Sequence, residues 1–275
     1  MCELFAMSSR GPSTVTLSLS ILAEHGGNTA PHKDGWGIAF YDDGDVRILK
    51  DIEGASHSQW VQFAEQQEIL STLVVSHIRL ATDGGIAIKN TQPFARELGG
   101  RMHVFAHNGH VPEIKTRDEY RTTEFRPIGD TDSEVAFCAL LERMVPLWRD
   151  SEVIPDMLAR LEVVADFAAD LSHYGPANFL YCDGEILFIH GHRRRQADGE
   201  FKSPGLYWLH RQCGRKDRHS ATSGVSITSS VQDVILVASV PLTTEPWQPL
   251  LEGELIAISE GGIVARNTVQ EQTTA

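Results

Sequence analysis

The chain has 275 residues, 41% of them hydrophobic and 22% charged, a globular composition with room for one large domain or two small ones. Its 24 basic and 37 acidic side chains leave a net charge of −13, which argues against nucleic acid or an anionic membrane as a partner. No apolar run approaches the roughly 18 residues that span a bilayer, and no basic segment followed by an apolar one opens the chain, so a cytoplasmic protein without a secretory signal is expected.

Apolar runs predict strands over Cys2–Ser8, Trp36–Tyr41, Val46–Lys50, Leu73–Thr82 and Met102–Ala106. Further ones fall over Asn178–Tyr181, Ile186–His190, Leu206–His210, Val234–Val240 and Glu254–Ile258. Asp43-Gly44-Asp45 and Asp183-Gly184 are hairpin signals. Runs such as Thr72-Leu73-Val74-Val75 are apolar on both faces, which implies sheets covered on both sides. A helix is expected around Thr16–Glu24. A second is expected where Ala136, Phe137, Leu140, Leu141 and Met144 share a face, opened by the capping-box spacing Thr131-x-x-Glu134. A third would present Ile154, Met157, Leu158, Leu161, Ala165, Ala168 and Leu171. Many strands with paired helices suggest a layered α+β domain. Residues 193–232 read as the least regular region. The arginines and lysine at Arg211, Arg215, Lys216 and Arg218 read there either as a solvated loop or as a basic edge for an anionic partner. The tail over 267–275 reads as disordered.

Four cysteines, Cys2, Cys138, Cys182 and Cys213, are scattered without a C-x-x-C pair, so neither a disulfide framework nor a zinc knuckle is expected. His190 and His192 lack a helpfully spaced carboxylate or cysteine, and no metal or cofactor is expected. Cys2 stands apart by position. If Met1 is trimmed, one residue carries a thiol of pKa about 8.5 and an α-amine of about 7.7–8.0, a nucleophile and its base together. Taken alone, Cys2 reads better as a small core residue, and the rest of the sequence reverses that.

Four further segments combine polar groups with tight backbone. His32-Lys33-Asp34-Gly35-Trp36-Gly37 is a glycine-rich turn feeding a strand. Ser76-His77-Ile78-Arg79-Leu80-Ala81-Thr82 ends an apolar strand on an arginine, which needs an anion or water; a structural ion pair or a ligand carboxylate would each serve. Ala106-His107-Asn108-Gly109 is either a simple turn or a paired amide and backbone N–H able to hold an oxyanion. Asp130-Thr131-Asp132-Ser133-Glu134 is, in isolation, a helix cap.

Together these segments resemble the class II glutamine amidotransferases, N-terminal-nucleophile hydrolases that take ammonia from glutamine. Cys2 matches the nucleophile, Asp34-Gly35-Trp36-Gly37 the D-G-x-G loop, and His107-Asn108-Gly109 the H-N-G segment. His77-x-Arg79-x-Ala81-Thr82 resembles the stretch whose arginine clamps the glutamine α-carboxylate. Thr131-Asp132-Ser133-Glu134 resembles the T-D-[ST]-E segment whose aspartate meets the α-ammonium. Pro31–Gly37, Asn90-Thr91-Gln92-Pro93-Phe94, Phe125–Gly129 and Val237–Trp247 look like the stand-alone, YafJ-like members. The chain departs from the synthase-fused members after Thr82, where Asp83-Gly84-Gly85 stands in place of their histidine.

The resemblance implies a four-layer α-β-β-α sandwich over residues 1–266, a single amidotransferase domain. It implies Cys2, Asn108 and Gly109 as catalytic groups and Arg79, Thr82, Asp132 and Trp36 as substrate-binding groups. The expected substrate is glutamine, or a related γ-glutamyl amide, with ammonia passed to an acceptor that a partner protein would supply. A non-catalytic glutamine sensor is the remaining alternative.

Overall fold

The computed structural model describes residues 2–15, 33–67, 69–149, 153–196, 198–213, 226–227 and 232–267. In chain order the first half contains β1 (Glu3–Thr14), β2 (Trp36–Asp42), β3 (Asp45–Asp51), α1 (Gln59–Gln66), β4 (Ser71–Ile78), β5 (Phe94–Leu98), β6 (Arg101–Gly109) and α2 (Asp132–Trp148). There follow α3 (Met157–Ser172), β7 (Ala177–Cys182), β8 (Leu187–Gly191), β9 (Arg194–Arg195), β10 (Phe201–Lys202) and β11 (Tyr207–Cys213). The last elements are β12 (Ser226–Ile227), β13 (Gln232–Ala238), β14 (Gln248–Pro249), β15 (Glu254–Ser259) and β16 (Gly262–Asn267).

Two antiparallel sheets organise these strands. The first runs β14-β11-β13-β1-β4-β2-β3, with β12 beside β1, and the second runs β16-β15-β8-β7-β6-β5. β1 lies between β13 and β4, so the backbone that follows Cys2 enters the middle of the first sheet. The run Leu4-Phe5-Ala6-Met7 is fully buried because both faces of β1 are covered. Leu4, Ala6 and Val75 of the first sheet meet Val104, Ala106, Leu180 and Ile189 of the second in one cluster between the sheets. Phe5, Met7, Ile38, Phe40 and Val74 point the other way and are joined by Val61 of α1 and by Trp247.

The helices α2 and α3 lie on the outer face of the second sheet. Phe137 of α2 stacks on Phe105 of β6 at 5.5 Å between centroids, and Phe167 of α3 meets the edge of Phe179 at 5.9 Å. Each such ring contributes about 1.5–3 kcal/mol by leaving water. Arg160 of α3 is buried and bridges Asp183 at 2.8 Å and Glu185 at 2.6 Å, which fixes the helix to the β7–β8 hairpin. The hairpins themselves follow their turn residues: Asp43 and Gly44 both take positive φ between β2 and β3, and Gly184 does so between β7 and β8.

Several expectations shift. β4 stops at Ile78 rather than Thr82, because Arg79 turns its guanidinium into the loop that follows. α3 starts at Met157, capped by Asp156, and its buried stripe is Leu161, Val164, Phe167, Ala168 and Leu171, which leaves Leu158 exposed. Thr131 caps α2 by accepting the Glu134 N–H at 3.3 Å, but the Glu134 carboxylate answers to Gly129 N–H and to Arg96 instead of closing the box on Thr131. Arg211 is no part of a free basic edge: it is buried and forms a two-pronged pair with Glu245, at 2.7 Å through its Nε. Arg215, Lys216 and Arg218, the helix expected over 16–24, and the tail beyond Asn267 lie outside the described residues. Asn267 itself pairs with Leu255 in β16.

Candidate active site

Cys2 precedes the central strand β1 and is half-buried. Its Sγ lies 3.3 Å from the Leu80 N–H, which donates to it, and 3.4 Å from the Leu80 carbonyl. Burial pushes the thiol up; the Leu80 contact and the nearby Arg79 guanidinium pull the other way without overcoming it. Asp34 holds the Leu80 segment in place, since its Oδ2 accepts the Ala81 N–H at 2.9 Å while Arg79 N–H donates to Gly35 O at 2.8 Å.

Asn108 arrives from the end of β6 in the other sheet. Its Nδ2 donates to the Cys2 carbonyl at 2.5 Å and lies 3.4 Å from Ser239 Oγ, while its buried Oδ1 has no hydrogen-bond partner among the described residues. Ser239 is in turn tied to Leu4, exchanging bonds of 3.0 Å with its N–H and carbonyl. The backbone of Asn108 is fixed by Asn178, whose Nδ2 donates to Asn108 O at 3.0 Å and to Arg193 O at 2.8 Å. Gly109 follows at a position where a Cβ would sit 1.9 Å from Pro176 O and 2.2 Å from His107 Nε2, so only glycine fits. His107 is buried and kept uncharged by desolvation; its Nδ1 is paired with Ser133 Oγ at 2.9 Å.

The loop after Arg79 folds back over its own side chain. Arg79 NH1 donates to Gly85 O at 3.1 Å, and NH2 donates to Asp83 O at 3.0 Å and Gly84 O at 3.1 Å. Asn90 Nδ2 adds a bond to Gly85 O at 3.0 Å. Gly84 has φ +70°, and a Cβ there would press on Asn90 and Thr131 at 2.9 and 3.0 Å. The Asp83 carboxylate pairs with Lys115 at 2.5 Å and accepts the Asp132 N–H at 2.9 Å. Burial alone would raise this carboxyl, but those bonds win and hold it below the usual carboxylate range.

Asp132 is buried at the first turn of α2. Its Oδ2 accepts the Val111 N–H at 2.7 Å and its Oδ1 accepts the Ser133 N–H at 2.8 Å. Oδ1 also takes a long contact of 3.4 Å from the Ser133 hydroxyl, so Oδ2 is the oxygen that keeps a further lone pair. The set can therefore offer a thiol, an amide donor, a cation and a carboxylate around one strand end.

A family profile described as "Glutamine amidotransferases class-II" matches residues 1–275. The chain belongs to that family. It is 36% identical to Escherichia coli (strain K12) YafJ, provisionally named a glutamine amidotransferase, over 260 residues that cover 92% of this chain and 96% of that one. A similarly named protein of Haemophilus influenzae is 30% identical over 271 residues, covering 96% of this chain and 86% of its own. Among solved structures, a predicted glutamine amidotransferase from Pseudomonas aeruginosa PA01 superposes with a TM-score of 0.66 at 29% identity, covering 96% of this chain and all of that one. The phosphoribosylpyrophosphate amidotransferase of Bacillus subtilis shares the fold at 15% identity and a TM-score of 0.62, with 97% of this chain matching 49% of that one. The protein is thus a class II amidotransferase enzyme, and the family implies glutamine as its substrate.

Within this amidotransferase, the structure links Cys2, Arg79, Asn108, Gly109 and Asp132 through the Leu80 backbone and the 83–85 loop. Trp36 is placed elsewhere: its backbone adjoins Gly35, but its indole is buried in the outer cluster of the first sheet. Thr82 is exposed on the loop. Ser239, Asn178, Asp83 and Lys115 were not singled out by sequence. Two of them carry a local signal: Asp83 is the point where the loop departs from the fused members, and Ser239 lies in the Val237–Trp247 stretch that resembles the stand-alone members. Among the described residues, no group of three or more His, Cys, Asp or Glu could hold a metal ion, and no helix is long and apolar enough to cross a membrane.

Proposed function

We propose that this enzyme hydrolyses the side-chain amide of free glutamine through a Cys2 thioester, giving glutamate and ammonia for an acceptor. The observation that carries this reading is Cys2 Sγ at the entrance to the central strand, with the Asn108 amide nitrogen 2.5 Å from the Cys2 carbonyl. In the proposed sequence Met1 is removed and the Cys2 α-amine takes the thiol proton as the thiolate attacks the amide carbon. The resulting oxyanion is stabilised by Asn108 Nδ2 and the Gly109 N–H, an arrangement whose loss costs on the order of 100-fold or more in rate. Collapse breaks the C–N bond, and the α-ammonium returns its proton to the leaving ammonia. Water then cleaves the thioester, releasing glutamate and the free thiol.

Arg79 would meet the α-carboxylate and Asp132 the α-ammonium. Three Arg79 bonds to loop carbonyls use NH1 and NH2, so its Nε–H keeps donor capacity while the guanidinium also holds the 83–85 loop. Thr82, exposed beside that loop, would face the bound substrate, and Trp36 would support the strand end from the outer cluster. The scaffold for this chemistry is read as a four-layer α-β-β-α sandwich forming one domain over 1–266. Its two central sheets and the α2–α3 side support the reading. The test is glutamate and ammonia release measured across glutamine, small γ-glutamyl amides and the des-amino analogue 4-carbamoylbutanoate. Preference for glutamine supports the proposal. Faster turnover of another γ-glutamyl amide would redirect it to that substrate, and tight binding without turnover would make the protein a sensor.

A further inference from the structure

A cavity of about 570 Å³ opens between the β3–β5 surface and the start of α2, away from Cys2. Its floor is apolar, formed by Ile48, Phe94 and Ala95, and its rim carries Ile88 and Ile128, which remain 48% and 68% exposed. Three cations face it: Lys50, Lys89 and Arg96. Lys89 is paired with Asp130 at 2.8 Å and Arg96 with Glu134 at 2.5 Å. Lys50 has no carboxylate within ion-pair distance among the described residues. Its Nζ donates to Thr91 O at 3.0 Å and lies 5.8 Å from the Phe94 ring centre, leaving two ammonium hydrogens uncommitted. Burial pulls this ammonium below the ordinary lysine range, as expected for a cation short of a counter-charge.

Among the described residues, the two carboxylates at this site are each ion-paired to another cation, Asp130 to Lys89 and Glu134 to Arg96. Lys50 therefore feels Glu134 only at a distance and has no carboxylate of its own, over an apolar floor, in a chain whose net charge is −13. Buried cations are retained when they meet an anion. We propose that this cavity is a binding site for a small monocarboxylate carrying a short aliphatic chain, its oxygens on Lys50 and its chain against Ile48, Phe94 and Ile128. A dianionic phosphate would overshoot the single free charge and leave the apolar floor wet. The rim residue Lys89 neighbours Asn90, which bonds Gly85 of the loop over Arg79, and Ile128 neighbours Gly129, which packs on Asn90, so the site lies beside that clasp.

The experiment is titration calorimetry of the full chain with hexanoate, hexanamide and acetate, without glutamine. Hexanoate should bind saturably, the neutral hexanamide and the chain-less acetate at least tenfold more weakly. Lys50→Met should weaken hexanoate at least tenfold while glutamine turnover is unchanged. Ile128→Asp, at an exposed position that does not threaten folding, should also weaken it by placing a negative charge at the mouth. Absence of saturable hexanoate binding, equal binding of hexanamide, unchanged binding to both variants, or competition between hexanoate and glutamine would each overturn the proposal.

Discussion

Asp132→Asn separates a structural role from a substrate-binding one. Both carboxylate oxygens of Asp132 accept buried backbone N–H groups, Oδ2 from Val111 and Oδ1 from Ser133. An amide has one oxygen, so in either flip its NH₂ faces one of those N–H groups. One buried donor is then left without an acceptor, at a cost of about 1–3 kcal/mol. Loss of the negative charge at the first turn of α2 adds about 0.3–1 kcal/mol. For a chain of this length each kcal/mol lowers the melting temperature by roughly 2–4 °C, so thermal and urea denaturation should register the variant plainly. If Asp132 also meets the substrate ammonium, kcat/KM for glutamine should fall further than for 4-carbamoylbutanoate. The gap should be about 10- to 150-fold, the worth of a charge-assisted bond of roughly 1.5–3 kcal/mol. An unchanged melting temperature would refute the hydrogen-bond reasoning. A lowered one with an unchanged ratio of the two substrates would leave Asp132 a cap and remove it from the clamp.

The remaining predictions concern the loop, the oxyanion segment and acid stability. Lys115→Ala cuts the partly buried pair with Asp83 that anchors the loop, so glutamine KM should rise about fivefold, from roughly 1 kcal/mol, with little change in melting; an unchanged KM would show that the loop does not depend on the pair. Gly109→Ala drives a Cβ into Pro176 O and His107, so kcat should fall on the order of 100-fold; a fully active variant would remove the Gly109 N–H from the mechanism. Burial lowers His103 and His190 to about 4, while an unfolded histidine titrates near 6.5, so the unfolded chain binds more protons between those values. Stability from these two groups is therefore fully present above about pH 6.5 and falls by roughly 2 kcal/mol per histidine by pH 5. Urea midpoints from pH 8 to 5 should show the fall, and His103→Gln should flatten it; equal acid sensitivity in that variant would sink the assignment.

The sequence made the sheets visible where strands are buried on both faces, as in Leu4-Phe5-Ala6-Met7 and Val234–Ala238. It hid β5, because only Phe94 and Leu98 of that strand are buried and charged residues lie between them. It hid α1 as well: Trp60 and Phe63 are exposed, so the apolar residues mark no single inward face. Sequence order brought Cys2, Arg79, Asn108 and Asp132 to notice as separate motifs, and their linkage needed the fold. The Asn178–Asn108 and Ser239–Leu4 bonds join residues 70 and 235 positions apart, and no local pattern encodes such pairs. The Arg211–Glu245 pair likewise turned an apparent basic edge into an internal contact.

The central claim is that Cys2, freed of Met1, is the nucleophile. Intact mass and peptide mapping of active protein treated with a glutamine-mimicking diazoketone test it most directly. The account predicts that Met1 is absent, that one adduct forms on Cys2 and none on Cys138, Cys182 or Cys213, and that glutamine protects against labelling. Full glutamine turnover with Met1 retained, or labelling at another cysteine with loss of activity, would contradict it.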